Sequence, residues 1–276
     1  MKRIHVVGVS PRTGTTLMAE AMAACFDIDF STHHEDRLFR RAPDNPNTFL
    51  SKCPRDILVV GPSLRVDPHL NVIGMMRDPR DIIVSKHKKD PDHYWASLKF
   101  WNYYTRELPA LKKHARFTLV KYEDFVQNPN EVQNLISEKI PFLNKQAPFS
   151  RYHEIASVSG SSEEALRGVR PIRPTSVGKW KQHKSRVAGQ IKQHGPISSD
   201  LIRYGYEADT SWKEALREVK PDLGPSHFSE HMTPAGKVSR RAGRYAEALR
   251  RAIECLLGFR IPFKSPRALL SSFQKT

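Results

Sequence analysis

Residues 6–22 read VVGVSPRTGTTLMAEAM. An apolar segment passes through Gly8, Pro11 and Gly14 into Leu17, Met18, Ala21, Met22 and Cys25, which recur with helical spacing. Arg12, Thr13, Thr15 and Thr16 stand at the bend. A loop between a buried strand and a helix start presents unpaired backbone N–H groups and the positive end of the helix dipole, so the bend reads as a phosphate site, with an ordinary helix cap as the alternative. Gly14 lets the backbone approach a ligand, the threonines add hydroxyls, and Arg12 offers a guanidinium fork. The nucleotide-binding loop G-x-x-x-x-G-K-[ST] differs from it. Five residues separate Gly8 from Gly14, and Thr15 occupies the lysine position, which argues against a triphosphate held with magnesium.

Outward from the bend, short apolar runs alternate with helical patterns, as in strands covered on both faces by crossover helices. The expected strands are Ile4–Val9, Ile57–Gly61, Val72–Met76 and Phe117–Val120. Tyr94, Leu98, Trp101, Tyr104 and Leu108 predict a second helix, and Val132, Leu135, Ile136 and Ile140 a third after Asn128-Pro129. The fold class is α/β, a central parallel β-sheet flanked by helices. Residues 159–195, rich in Gly, Ser, Pro and basic side chains, read as an exposed, mobile loop leading to a short helix. The main domain is expected over 1–220, and 221–276 as a linker and a basic amphipathic helical extension. Val238, Ala242, Tyr245, Leu249, Ile253 and Leu256 make the apolar face of that last helix, among Arg240, Arg241, Arg244, Arg250 and Arg251, tempered by Glu247 and Glu254. The helix reads first as docked on the body, and alternatively as a surface for a peripheral membrane or a partner.

The 276 residues, 39% hydrophobic, suffice for one sizeable core. Forty-five Lys and Arg against 29 Asp and Glu give a net charge of +16, which attracts anionic partners. Cys25, Cys53 and Cys255 are too far apart for a zinc site or a disulfide framework. Met1-Lys2-Arg3 leads straight into IHVVGV without an apolar targeting segment, and no run approaches the roughly 18 apolar residues of a membrane span, so a cytoplasmic protein is expected.

A second anion site is suggested by VIGMMRDPRDIIVS, residues 72–85. An apolar strand ends there at Arg77, and side chains at strand carboxyl ends are where open α/β sheets place function. Ser85 lies eight residues after Arg77. Arg80, Asp81 and Lys86 read as solvated helix charges.

These residues together resemble the sulfotransferases that use 3′-phosphoadenosine 5′-phosphosulfate, PAPS. PRTGTT is similar to that family's 5′-phosphosulfate loop, PKSGTT or PRSGTT, which implies that Arg12, Thr13, Gly14, Thr15 and Thr16 cradle the 5′-phosphate and sulfuryl group. RDPRDIIVS resembles its 3′-phosphate motif and implies that Arg77 and Ser85 bind the 3′-phosphate. VKYEDF followed by NP is similar to the segment whose Tyr lies against the adenine, here Tyr122. RPTSVGKWKQH resembles the late RKGxxGDWKNH loop, so Arg173, Thr175 and Ser176 inherit contact with the 3′-phosphate and Trp180 packs the loop down. Pro174 and Thr175 depart from the family's lysine and glycine. The resemblance spans Ile4 to His183 and implies a P-loop-like sulfotransferase fold, PAPS as co-substrate and no metal.

SKCPRDIL resembles the family's EKTP or NKDP segment and makes Lys52 the cation at the leaving oxygen, a task suited to a point-charge ammonium. The histidine that phenol- and steroid-specific members place after that lysine is missing, because Cys53-Pro54 stands there. Glu35-Asp36-Arg37 instead resembles the EETR segment of the tyrosylprotein sulfotransferases, which makes Glu35 the general base and Arg37 an acceptor contact, with His34 or His33 as alternatives. His87, Lys88, Lys89, His93, Tyr94 and Trp95 either line an acceptor cleft or, for the aromatics, belong to the core. The acceptor is expected to be a carbohydrate, a glycolipid or a small molecule. Two other classes are open: a P-loop kinase-like phosphotransferase, against which the missing loop lysine speaks, and a nucleic-acid-binding protein suggested by charge alone, with no recognition signature to support it.

Overall fold

Strand β1 (Lys2–Gly8) is buried at every residue after Lys2. Ile4 and Val6 enter one core and Val7, with Val9 beyond the strand, another, so both faces are covered, and the Arg3 and His5 side chains are buried as well. The computed structural model describes residues 1–38, 46–87, 90–227 and 234–257. Lys88 and Lys89 lie outside the described residues, as do the side chains of His87, Val238, Arg240, Arg241, Arg244, Glu247 and Arg251.

The other strands are β2 (Phe30–Glu35), β3 (Thr48–Lys52), β4 (Leu70–Met76), β5 (Lys86–His87), β6 (Asp90–Tyr94) and β7 (Phe117–Lys121). Five of them form one parallel sheet in the order β2-β3-β1-β4-β7, and β5 and β6 make a small antiparallel hairpin. The α/β class and its central parallel sheet are as expected. Register aligns the carboxyl ends: Val6 pairs with Lys52, Lys52 with Glu35, Gly8 with Met75 and Met76 with Lys121. After β3 the chain crosses β1 to enter β4. The direction of winding reverses beside β1, which opens a crevice at that edge.

The helices are α1 (Thr15–Cys25), α2 (Val60–Val66), α3 (Pro79–Ile83), α4 (Leu98–Thr105), α5 (Leu108–Leu111), α6 (Tyr122–Gln127), α7 (Pro129–Lys139), α8 (Tyr152–Ile155), α9 (Gly160–Leu166), α10 (Lys184–His194), α11 (Ser198–Arg203) and α12 (Pro234–Leu257). Met18 and Met22 of α1, Phe125 of α6 and Ile136 of α7 close one face of the sheet over Ile4, Val6 and Ile73. Val60 and Leu64 of α2 with Trp101 and Tyr104 of α4 close the other over Val7, Val72 and Met76. Ile83, Leu98, Trp180, Val187, Leu201 and Trp212 form a third cluster that fastens the late part of the chain.

Several expectations are corrected. Ile57–Gly61 is not a strand: Pro54–Leu58 is a 3-10 turn begun by Pro54, and α2 follows. Pro54 presets the turn's φ, and Ile57, Val60 and Leu64 share one core at helical spacing. Two real strands lie in polar sequence, β2 at the sheet edge and β3 ending in Ser51-Lys52. The aromatic stripe from Tyr94 to Leu108 is three elements, because Tyr94 ends β6 and Pro109 starts a new helix, α5. Leu135 is exposed, although Val132, Ile136 and Ile140 are buried.

The stretch read as an exposed loop carries α9, a 3-10 turn (Lys179–Gln182) and α10, with Trp180 only 5% exposed. The residues read as a linker begin as a strap on the body. Asp222 N–H donates to the Ser185 carbonyl, and buried Arg186 donates to the Gly224 carbonyl and Ser226 Oγ. Gly189 is required under this strap, since a Cβ there would lie 1.7 Å from the Asp222 carbonyl oxygen.

Helix α12 docks along α2, as its first reading expects. Its buried side carries the Arg250–Glu254 ion pair at 2.6 Å, while Tyr245, Leu249 and Leu256 of the apolar face point outward. Among the described residues no helix is long and apolar enough to cross a membrane.

Candidate functional site

The loop after β1 is shaped by its backbone. Ser10, Arg12 and Gly14 have positive φ, and a Cβ at Gly8 would sit 2.5 Å from Thr13 Oγ1. Thr13 is buried, and its hydroxyl donates to the Ser10 carbonyl at 3.1 Å, so this threonine braces the turn. Gly14 (φ 85°) is the N-cap of α1 with no side-chain cap bond, which leaves the first-turn amides facing the crevice. A Cβ on Gly14 would meet Tyr122 Cδ2 at 2.5 Å, so the Tyr122 ring packs directly on the loop. Thr15 is buried behind Gly8.

Arg77, at the end of β4, reaches across this loop. It donates to the Arg12 carbonyl at 3.2 Å and to the Ser176 carbonyl at 2.5 Å, and its Cζ lies 4.5 Å above the Tyr122 ring. Arg12 Nε donates to Ser85 Oγ at 2.9 Å. The structure thus brings together Arg12, Gly14, Arg77, Ser85, Tyr122 and Ser176 from five segments. Arg173 and Thr175 stand exposed on the Ser176 loop.

The charge here is unbalanced. Burial, then Arg77 and Arg167, hold the Arg12 guanidinium down to about 10. Arg77 is 7% exposed, with its Nε buried and unpartnered. Asp81 and Glu123 lie near Arg77, but Arg12 and Arg77 still repel each other across the loop, and an anion joining them relieves that repulsion. The uncapped α1 start, and separately the Arg12, Arg77 and Ser85 side chains, are groups that could hold an anion.

Glu35 and Lys52 end the neighbouring strands β2 and β3 and pair in register. Lys52 Nζ lies 3.6 Å from Glu35 Oε1 and donates to Thr16 Oγ1 at 3.1 Å. The Lys52 side chain is 3% exposed and that of Glu35 47%. Burial lowers the Lys52 ammonium's pKa, and Glu35 opposes that shift. A carboxylate open to solvent beside a buried ammonium, next to an anion loop, is an acid-base arrangement. His34 points into a recess shared with Lys52, where burial and then Lys52 lower its pKa, and His33 is exposed. Arg37 is turned towards Asp56, 3.4 Å away, and Asp56 also accepts the Leu38 amide at 2.7 Å, which anchors the chain just beyond Glu35.

Arg80 and Asp81 are not solvated charges. Arg80, 2% exposed, lies between the Trp180 and Trp212 rings and pairs with Asp78 and Glu207. Asp81, 1% exposed, accepts the Gly178 amide at 2.7 Å and the Trp180 amide at 2.9 Å, and so pins the loop that presents Ser176. Lys86 is exposed, as expected, but it stands on β5 and not on a helix.

Sequence reasoning missed that pin, and it missed Arg167 and Glu123. Arg167 ends α9 in a left-handed conformation (φ 60°) and acts on Arg12. Glu123 accepts the Asp78 amide at 2.9 Å behind Arg77. None of the three carries a local signal, since each is defined by a partner distant in sequence. Of the possible acceptor residues, Trp95 stacks on His227, and His93 and His227 both bond Asp90 at 2.6 Å. Trp101 and Tyr104 are core. No group of three metal-ligating side chains occurs among the described residues.

No protein-family model matches the chain, and no curated protein matches it. Among solved structures it is similar to the sulfotransferase domain from the Synechococcus PCC 7002 olefin synthase, with 17% identity and a TM-score of 0.40 over 65% of this chain and 87% of that one. It is also similar to the sulfotransferase domain from the curacin biosynthetic pathway, at 12% identity and a TM-score of 0.34 over 66% of this chain and 97% of that one. A third similar structure is retinol dehydratase in complex with androsterone and the inactive cofactor PAP, at 12% identity and a TM-score of 0.33 over 80% of this chain and 83% of that one.

Proposed function

We propose that the chain is a cytoplasmic sulfotransferase that moves a sulfuryl group from PAPS to a hydroxyl or amine of a carbohydrate, glycolipid or small-molecule acceptor. One observation carries the reading: Glu35 and Lys52 sit side by side at the strand ends, with Lys52 bonded to Thr16 of the anion loop. When bound, PAPS supplies the sulfuryl group and a phosphate leaving group.

The α1 amides and Arg12 hold the 5′ end, and Arg77, Ser85 and the loop of Arg173, Thr175 and Ser176 hold the 3′-phosphate. Tyr122, backed by Gly14 and Arg77, offers a surface for the base. Glu35, the more exposed partner, accepts the acceptor's proton on a carboxylate oxygen. Lys52 keeps positive charge where the leaving oxygen gains negative charge, and burial strengthens that interaction. Its bond to Thr16 fixes the ammonium at the loop rather than leaving it to Glu35 alone.

Calorimetry with 3′-phosphoadenosine 5′-phosphate (PAP) and with magnesium-ATP tests this. PAP is expected to bind roughly 10- to 100-fold more tightly, the worth of one added set of charged hydrogen bonds. Tight magnesium-ATP binding with no PAP binding would replace the reading with a phosphotransferase.

A further inference from the structure

An amphipathic helix ordinarily turns its apolar stripe to the core. Helix α12 does the reverse. Arg250 and Glu254 are buried, at 9% and 8% exposure, and pair with each other. Tyr245, Leu249, Leu256 and Leu257 are exposed by 61, 63, 84 and 54%, the four most exposed large apolar side chains among the described residues. Residues 245, 249 and 256, spaced by four and seven, share one helix face.

We propose that α12 docks the protein on an anionic lipid surface through this outward stripe. Charge selects the occupant. Residues 234–276 contain ten Lys and Arg against Glu247 and Glu254, a net +8 that is half the charge of the whole chain. Glu254 is spent on Arg250, and no acidic residue follows it. Beyond the helix the sequence interleaves Phe259, Ile261 and Phe263 with Arg260, Lys264 and Arg267. Apolar and aromatic side chains among cations are what an interfacial segment presents to headgroups and acyl chains. Each Lys or Arg near an anionic surface adds to the attraction, whereas the core of a protein interface is depleted of charge. A second copy of this chain would bring +8 against +8, which opposes self-association.

The placement is compatible with function. Helix α12 packs on α2, and Glu254 acts on Asp67, just before β4 begins. The Glu254 end of α12 therefore lies near the amino end of β4, whereas Glu35 and Lys52 stand at the carboxyl ends of β2 and β3.

Cosedimentation of the full chain with vesicles tests the proposal, using phosphatidylcholine alone and phosphatidylcholine with about one third phosphatidylglycerol. Binding to the anionic vesicles is expected, weakened at least about tenfold when salt rises from ~0.1 M to ~0.5 M. Leu249→Glu, at an exposed position, is expected to keep the circular dichroism melt and PAP affinity while lowering the vesicle-bound fraction constant roughly tenfold. Equal binding by Leu249→Glu, or no preference for anionic vesicles, overturns the proposal. So does a dimer in sedimentation velocity that Leu249→Glu dissociates, which would assign the stripe to self-association.

Discussion

Replacing Lys52 by Met separates catalysis from folding. Lys52 is 2% exposed, and its ammonium lies 3.1 Å from Thr16 Oγ1 and 3.6 Å from Glu35 Oε1. If it neutralises charge on the leaving oxygen, its removal should cost what the loss of one fixed electrostatic donor costs, about 3–4 kcal/mol or 10²–10³ in kcat. Its pairing with Glu35 adds little to stability, because Glu35 is half in water and such pairs are worth about 0–1 kcal/mol. Desolvation of the ammonium works the other way, and burial is the first cause of its lowered pKa. Methionine keeps most of the stem and none of the charge. The expected variant has a Tm unchanged or raised, a PAPS KM within about threefold, and a PAP release rate, with water or a test alcohol as acceptor, reduced 10²–10³-fold. Activity within about threefold of the parent would refute the role given to Lys52. A collapse in Tm with normal activity per folded molecule would make Lys52 a structural residue.

Gly14→Ala places a Cβ 2.5 Å from Tyr122 Cδ2 at a φ of 85°, so thermal unfolding should show a loss of at least about 1–2 kcal/mol and calorimetry a weaker PAP affinity. Asp81→Asn weakens the bonds to the Gly178 and Trp180 amides, so limited trypsin cleavage after Lys179 or Lys181 should accelerate and PAP affinity fall. Glu123 has a pKa pushed up to about 7 by burial, which outweighs the lowering by the Asp78 and Glu123 amides, with the Asp78 charge adding to the rise. Its carboxyl therefore keeps its proton in the folded state after the unfolded chain has lost it. Stability is full below about pH 4.5 and falls as pH rises to about 7, by at most about 3 kcal/mol. Glu123→Gln, which keeps an acceptor for the Asp78 amide, should remove that slope in denaturant titrations from pH 4 to 8, and an unchanged slope would place the titration elsewhere.

The sequence made the site more legible than the fold around it. The run IHVVGV, the bend and the α1 stripe are local patterns, and β1, the loop and α1 follow them. Glu35 and Lys52 were placed by resemblance, although the strands that carry them went unseen. FSTHHE sits at a sheet edge and TFLSK is short, so neither shows the apolar run of a buried strand. ILVVG has that run and is helical, because Pro54 and the 57, 60, 64 spacing serve a core that only the folded chain defines. Arg80 and Asp81 look like surface charges until Trp180, Trp212 and two amides from the loop after Thr175 close over them. The α12 stripe was legible as amphipathic, but which side faces outward depended on the Arg250–Glu254 pair.

The central claim is that this site holds a nucleotide phosphorylated at both ends of its ribose. Calorimetry of PAP and of adenosine 5′-monophosphate on the parent protein and on Arg77→Ala tests it most directly. The two ligands differ only in the 3′-phosphate, so any loosening of Tyr122 or of the loop carrying Arg12 affects both. The account predicts that Arg77→Ala weakens PAP by roughly 10- to 100-fold more than the monophosphate, the worth of one charged contact to phosphate. Equal weakening of the two ligands would contradict it.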